Sequence, residues 1–154
     1  MKQTIHLSVN HKTYNVGIEP NLTLLDLLRN ELGLLGTKRG CEKGDCGTCT
    51  VLVDGKPVNA CLYLAVRANG KKILTVEGLE TKEGLHPLQK QFLEKGAVQC
   101  GFCTPGMLMT SKSLLDEKPN PTEEEVKTAI SGNLCRCTGY QHIVDAVLST
   151  SKKT

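Results

Sequence analysis

The sequence predicts an α+β protein, a small mixed sheet crossed by one helix and followed by a compact four-helix unit. Three observations carry this. Apolar residues alternate with period two through most of the first half, the period of a half-buried strand. From about Gly78 onward they recur with helical spacing between capping signals. Eight cysteines divide four and four between the two halves.

In the first half, Ile5, Leu7 and Val9 alternate, Asn10–His11 supplies a turn, and Tyr14, Val16 and Ile18 alternate again, which is a hairpin pattern. Thr23 is placed as a helix N-cap with Asp26 three residues on. Leu24, Leu25, Leu28 and Leu32 form the apolar stripe, and Gly33 stops the helix. The glycine-rich stretch from Gly36 to Cys49 is a loop. Thr50 to Val53 is a strand, Asp54–Gly55 a tight turn, and Lys56 to Ala60 its return. Ile73, Leu74 and Val76 predict a last strand. One helix lying across such a sheet is a β-grasp pattern.

In the second half, Pro87 to Lys95 predicts a helix ended by Gly96. Thr104 is placed as the cap of a second helix with Pro105 at its first position, and Met107, Leu108, Leu114 and Leu115 on its buried face. Thr122 and Glu125 form the capping box of a third, with Val126 and Ile130 facing inward. Thr138 is expected to open a fourth, with Ile143, Val144, Val147 and Leu148 inside. The expected domains are residues 1–77 and 78–154.

Composition narrows the function. With 3% aromatic residues and no Trp, the core must be aliphatic. The net charge of +3 is too mild, and the lysines too scattered, for a nucleic-acid surface. No apolar run is long enough to span a membrane. The alternating start predicts a strand and not a signal peptide, so the expected compartment is the cytoplasm. Thiols stay reduced there, and eight of them point to metal rather than disulfides.

The first set, Cys41, Cys46, Cys49 and Cys61, has the spacing C-x4-C-x2-C-x11-C. That is the ligand pattern of a plant-type [2Fe–2S] centre. Three ligands on one loop force the backbone to wrap closely, and Gly40, Gly44 and Gly47 permit it. A four-cysteine zinc site is the alternative, although zinc sites favour paired C-x2-C units. The second set, Cys100, Cys103, Cys135 and Cys137, has the spacing C-x2-C-x31-C-x-C. Each of its pairs precedes a helix N-terminus, whose free N–H groups favour negative charge. Taken alone, this set suits either zinc or iron–sulfur. Two one-electron centres in one small chain suggest an electron wire.

The motifs GCEKGDCGTCTVLVDG, QCGFCTPGM and SGNLCRCTGY, in this order, resemble the small iron–sulfur subunit of the molybdenum hydroxylases, the xanthine dehydrogenase and aldehyde oxidoreductase family. The resemblance covers roughly residues 3 to 148. It implies a plant-ferredoxin-like β-grasp domain followed by a four-helix-bundle [2Fe–2S] domain. It implies that the Cys100 set holds the cluster nearest the molybdopterin of a large subunit. The Cys41 set then holds the distal cluster, towards an FAD-binding medium subunit. Gln99 and Cys137 inherit contacts to the pterin, and the expected assembly is a dimer of heterotrimers.

From the residues alone, Gln99 could equally satisfy loose backbone groups of its own loop. Arg136 could neutralise a cluster or form a salt bridge. His6, His11, His86 and His142 are isolated, and are expected to be surface or capping residues. No nucleotide loop or nucleophile triad is visible, so no substrate-converting site is expected in this chain. The run Asn59 to Ala65 most resembles xanthine (purine) enzymes, with nicotinate, carbon monoxide, aldehyde and hydroxybenzoyl-CoA enzymes as alternatives. A free-standing two-cluster ferredoxin is the alternative outside the family.

Overall fold

The computed structural model describes residues 1–151. Strands β1 (Gln3–Val9) and β2 (Lys12–Ile18) form the first hairpin, and β3 (Thr50–Val53) and β4 (Lys56–Asn59) the second. Both turns have two residues at positive φ, Asn10 and His11 at 50° and 67° and Asp54 and Gly55 at 48° and 81°. This turn geometry matches the right-handed twist of the strands it joins. Strand β5 (Lys72–Leu74) lies between the hairpins, parallel to β1 and antiparallel to β3, giving the order β2-β1-β5-β3-β4.

The expected last strand stops short of Val76, which begins a 3-10 turn, Val76–Leu79. The cause is Thr75, fully buried and held in both directions by one side chain. Its N–H donates to Asn10 Oδ1 at 2.9 Å, and its hydroxyl accepts from Asn10 Nδ2 at 2.8 Å. That pair fastens the first hairpin turn to the crossover into the helical half.

Helix α1 (Leu24–Asp26) is a single turn whose N-cap is Thr23, accepting from the Asp26 N–H at 3.0 Å. The leucine pattern predicts a regular helix as far as Gly33. Instead the chain widens into a π-helical segment, Leu27–Glu31, in which the Leu32 N–H reaches back to Leu27. The wider turn puts Leu24, Leu25, Leu27 and Leu28 all in the core, each at most 1% exposed. Leucines packed so closely in sequence exceed the stripe of a regular short helix.

Helices α2 (Pro87–Glu94), α3 (Thr104–Glu117), α4 (Glu123–Ile130) and α5 (Gln141–Ser151) make the second half. His86 caps α2 through a box with Gln89, and Thr122 caps α4 through a box with Glu125. Two starts differ from expectation. The residue before α3 is Cys103, so Thr104 is inside the helix and caps nothing. Helix α5 begins at Gln141 and not at Thr138, because the Thr138 hydroxyl is engaged in the loop before it. Of the expected inward face of α3, Met107 and Leu108 are buried, while Leu114 and Leu115 are only partly so.

The two halves share β3, whose four residues are all buried. Val51 and Val53 join the core under α1, whereas Leu52 joins the core of the helical half. A strand covered on both faces reads as a continuous apolar run, and α3 supplies the second cover. Ser113 of α3 donates to the Gly55 carbonyl at 3.0 Å. Strand β3 begins directly after Cys49, so this packing brings the first cysteine loop against the N-terminus of α3.

Candidate metal centres

The loop from Gly40 to Cys49 is curled by positive φ at Glu42, Gly44 and Gly47. The curl directs three backbone N–H groups at Cys41 Sγ, from Lys43, Asp45 and Cys46 at 3.5, 3.3 and 3.4 Å. These donors, Lys43 first, draw the Cys41 thiol down to about 6. Backbone amides aimed at sulfur stabilise the thiolate that a metal requires. Gly40 is needed for another reason: a Cβ there would stand 2.8 Å from Cys46 Sγ.

The positive φ of Glu42 has no glycine to announce it. It is held by Arg39, whose guanidinium pairs with both Glu42 and Asp26, the latter at 2.5 Å. Asp26 has the position of a helix-end acid, but the Arg39 guanidinium beside it holds its carboxyl below the ordinary range. The three residues tie the cysteine loop to α1.

Cys49 is buried at the foot of β3 and Cys61 lies two residues past the end of β4. The register Thr50↔Asn59 brings them together across the hairpin. Burial pushes the Cys49 thiol up to about 12, and the neighbouring Cys61 thiol also acts on it. Cys41 similarly has Cys46 as its hydrogen-bonding partner.

In the second set, Cys100 is exposed on the loop after α2, and Cys103 is half-buried at the start of α3. Cys135 and Cys137 occupy the loop between α4 and α5. Burial raises Cys103 to about 12, and its thiol neighbour is Cys135. Cys137 is raised by its hydrogen-bonding partner Cys100. For Cys135, burial acts upward but is outweighed by donors, the Thr138 hydroxyl first, so the thiol is lowered. Thr138 Oγ1 lies 3.2 Å from Cys135 Sγ, and the Cys135 N–H donates to the Tyr140 hydroxyl at 3.0 Å. Thr138 and Tyr140 thus serve the cysteine loop. Sequence reasoning misses this because Thr138 has the form of an ordinary helix cap.

All eight cysteines are free thiols. Within each half the thiols act on one another: Cys46 on both Cys41 and Cys49 and Cys61 on Cys49 in the first set, and Cys100 and Cys135 on both Cys103 and Cys137 in the second. Four thiolates shared between two irons require two pairs. Each half therefore brings together the four thiols that one [2Fe–2S] cluster needs.

Gln99 is exposed, and its side chain makes no hydrogen bond among the described residues. Arg136 is likewise exposed and forms no ion pair among the described residues. On the same two loops, Phe102 and Leu134 are 48% and 54% exposed. His86 is a capping residue, as expected.

Two domain families account for most of the chain. Residues 7–75 match the 2Fe-2S iron-sulfur cluster binding domain, and residues 75–148 match the [2Fe-2S] binding domain. The nicotinate dehydrogenase small FeS subunit of Eubacterium barkeri is 52% identical over 146 residues, covering 95% of this chain and 93% of that protein. The chain belongs to the small iron–sulfur subunits of the molybdenum hydroxylases. Within this family, a probable xanthine dehydrogenase subunit of Bacillus subtilis is 46% identical, with 93% of this chain and 82% of that protein covered. A chain of quinoline 2-oxidoreductase from Pseudomonas putida 86 superposes with a TM-score of 0.94 at 49% identity, covering 98% of this chain and 94% of that one. Members of the family are subunits of dehydrogenase or oxidoreductase complexes, so this chain is an electron-transfer subunit carrying two [2Fe–2S] domains. Among the described residues, no helix is long and apolar enough to cross a membrane.

Proposed function

We propose that this chain relays electrons singly between a molybdopterin site on a large subunit and an FAD-binding medium subunit. Cys100, Cys103, Cys135 and Cys137 hold the molybdenum-proximal cluster, and Cys41, Cys46, Cys49 and Cys61 the distal one. When bound, each cluster supplies one-electron chemistry. The chain's own residues hold the thiolates, bring amide and hydroxyl donors to the sulfurs and keep the two loops in register. The division falls near residue 77, between the β-grasp and helical domains. The complex operates in the cytoplasm as a dimer of heterotrimers.

The observation that carries this reading is the exposed edge of the second quartet. Cys100, Cys137 and Gln99, whose side chain makes no hydrogen bond among the described residues, are exposed on the same two loops as Phe102 and Leu134. Gln99 offers amide donors and an acceptor suited to a heteroatom-rich pterin. Exposed apolar side chains on the loops that carry a redox centre suit a permanent subunit better than a carrier that exchanges partners. The names of the relatives above concern nicotinate, xanthine and quinoline, all nitrogen heteroaromatic rings. They support an aromatic nitrogen heterocycle, with a purine such as xanthine the first choice, as the substrate oxidised on the large subunit.

The test is electron paramagnetic resonance on the anaerobically purified, dithionite-reduced complex, with iron and sulfide assays. The expected result is two distinct [2Fe–2S] signals and about four irons per chain. Cys137→Ala should remove one signal, with loss of electron flow from substrate. A single signal in the unmodified complex, or stoichiometric zinc, overturns the reading.

A further inference from the structure

The two cysteine loops meet across a small set of polar contacts that the electron-relay role leaves unassigned, and Asn133 is at their centre. It is 5% exposed, two residues before Cys135. Its Nδ2 donates to the Gly47 carbonyl at 3.0 Å and reaches Thr50 Oγ1 at 3.4 Å. Its Oδ1 accepts from the Thr110 hydroxyl of α3 at 2.9 Å. The Gly47 carbonyl can only accept, and so it fixes which end of the amide faces the first loop. One side chain therefore joins the first cysteine loop, the start of β3, helix α3 and the second cysteine loop.

Two further bonds cross the same seam. The Leu134 N–H donates to the Cys46 carbonyl at 2.9 Å, and the Thr48 hydroxyl donates to the Phe102 carbonyl at 2.8 Å. The first links a residue of one quartet to the neighbour of a residue of the other. The backbones are in close contact as well. A Cβ on Gly47 would meet the Gly132 carbonyl at 2.4 Å, and one on Gly106 would meet the Gly47 carbonyl at 2.4 Å.

We infer that Asn133 is a positioning residue that fixes the separation and mutual orientation of the two cysteine quartets, and hence the coupling between the clusters they hold. This rests on the two-cluster reading above. The role is one of position, and no bond is made or broken. Buried amides of this kind are strongly directional, because any misfit leaves donors and acceptors unpaired. A cavity of about 170 Å³ lined by Asn133, Thr50 and Thr110 adjoins the seam. Truncating the amide would open that space to water beside the Gly47 carbonyl.

The test uses the reduced, fully assembled complex carrying Asn133→Ala. Iron content and the g-values of each cluster report whether the quartets are intact. The magnetic splitting between the two reduced clusters, which falls with the inverse cube of their distance, reports their separation. The expected result is four irons retained and unchanged g-values, with a reduced splitting and inter-cluster electron transfer slowed several-fold. Thr110→Val, which removes the donor to Oδ1 with little change of volume, should shift the splitting in the same direction. Thr110→Ser should leave it as in the unmodified complex. If Asn133→Ala does not assemble, Thr110→Val decides the question. Unchanged splitting with both clusters present overturns the positioning role while leaving the relay intact. Absence of two cluster signals in the unmodified complex overturns the relay itself.

Discussion

Gly106→Ala sets two physical effects of opposite sign against each other. Gly106 lies in the first turn of α3, and its φ is not positive. Helix propensity alone therefore makes alanine more stable by about 1 kcal/mol. The added Cβ, however, would stand 2.4 Å from the Gly47 carbonyl oxygen, 3.1 Å from Thr48 Cα and 3.2 Å from Asn133 Nδ2. The first obstacle is backbone of the cysteine loop, held by the Asn133 amide, and it cannot rotate away as a flexible side chain would. Real contacts require more than 3.0 Å, so α3 and the loop must separate. Overpacking of this kind costs about 1–3 kcal/mol. Sterics should win by up to about 2 kcal/mol, lowering Tm by ~4–8 °C for a chain of this size. Calorimetry of the cluster-loaded chain measures it. Gly132→Ala is the control, since its Cβ would meet nothing within 4 Å. A Gly106→Ala chain more stable than the parent would refute the claim that the two loops are rigidly apposed.

Three other outcomes follow from single contacts. His86 is held neutral chiefly by burial, with Lys112 adding to the effect, so in the folded chain it titrates below its ordinary value of 6.5. The unfolded chain then binds more protons, and this contribution to stability declines as pH falls through 6.5 towards the folded value. His86→Asn keeps a capping acceptor and should flatten the slope measured by urea unfolding between about pH 7 and 5. Thr122→Ala removes the acceptor for the Glu125 N–H. It should cost about 1 kcal/mol, with faster hydrogen exchange confined to the first turn of α4. Phe102→Ser combined with Leu134→Ser should leave iron content and Tm unchanged while weakening association with the large subunit on size-exclusion chromatography.

Local signals are legible where one residue type has one structural use. Asn10–His11 and Asp54–Gly55 mark hairpin turns because few residues accept positive φ, and Thr122 with Glu125 marks a helix start. Legibility fails where a residue of the expected type has a non-local partner. Thr138 has the form of a cap, but its hydroxyl is turned to the Cys135 sulfur and the Tyr140 N–H. Val76 continues an apolar pattern, yet the strand ends because Asn10, far back in the chain, holds Thr75. The cysteine sets are visible as spacings. How each set is brought together is not, since it depends on the β3–β4 register and on the approach of two distant loops. Asn133, beside Gly132, has only the form of a turn residue after a helix. Its function appears only once Gly47 and Thr110 are beside it.

The order of the sheet also bears on how the protein comes into being. Strand β5, the last to leave the ribosome, occupies the middle position between two hairpins already synthesised. Each hairpin is local and can close early, but neither can join the other until residue 74 has emerged. By then the whole first quartet, ending at Cys61, is already outside, and Cys49 and Cys61 are brought together by a hairpin that needs nothing downstream. The second quartet comes last and spans the α3–α4 pair. The first set of thiols is thus complete in the growing chain while the residues that will form the second are still being made.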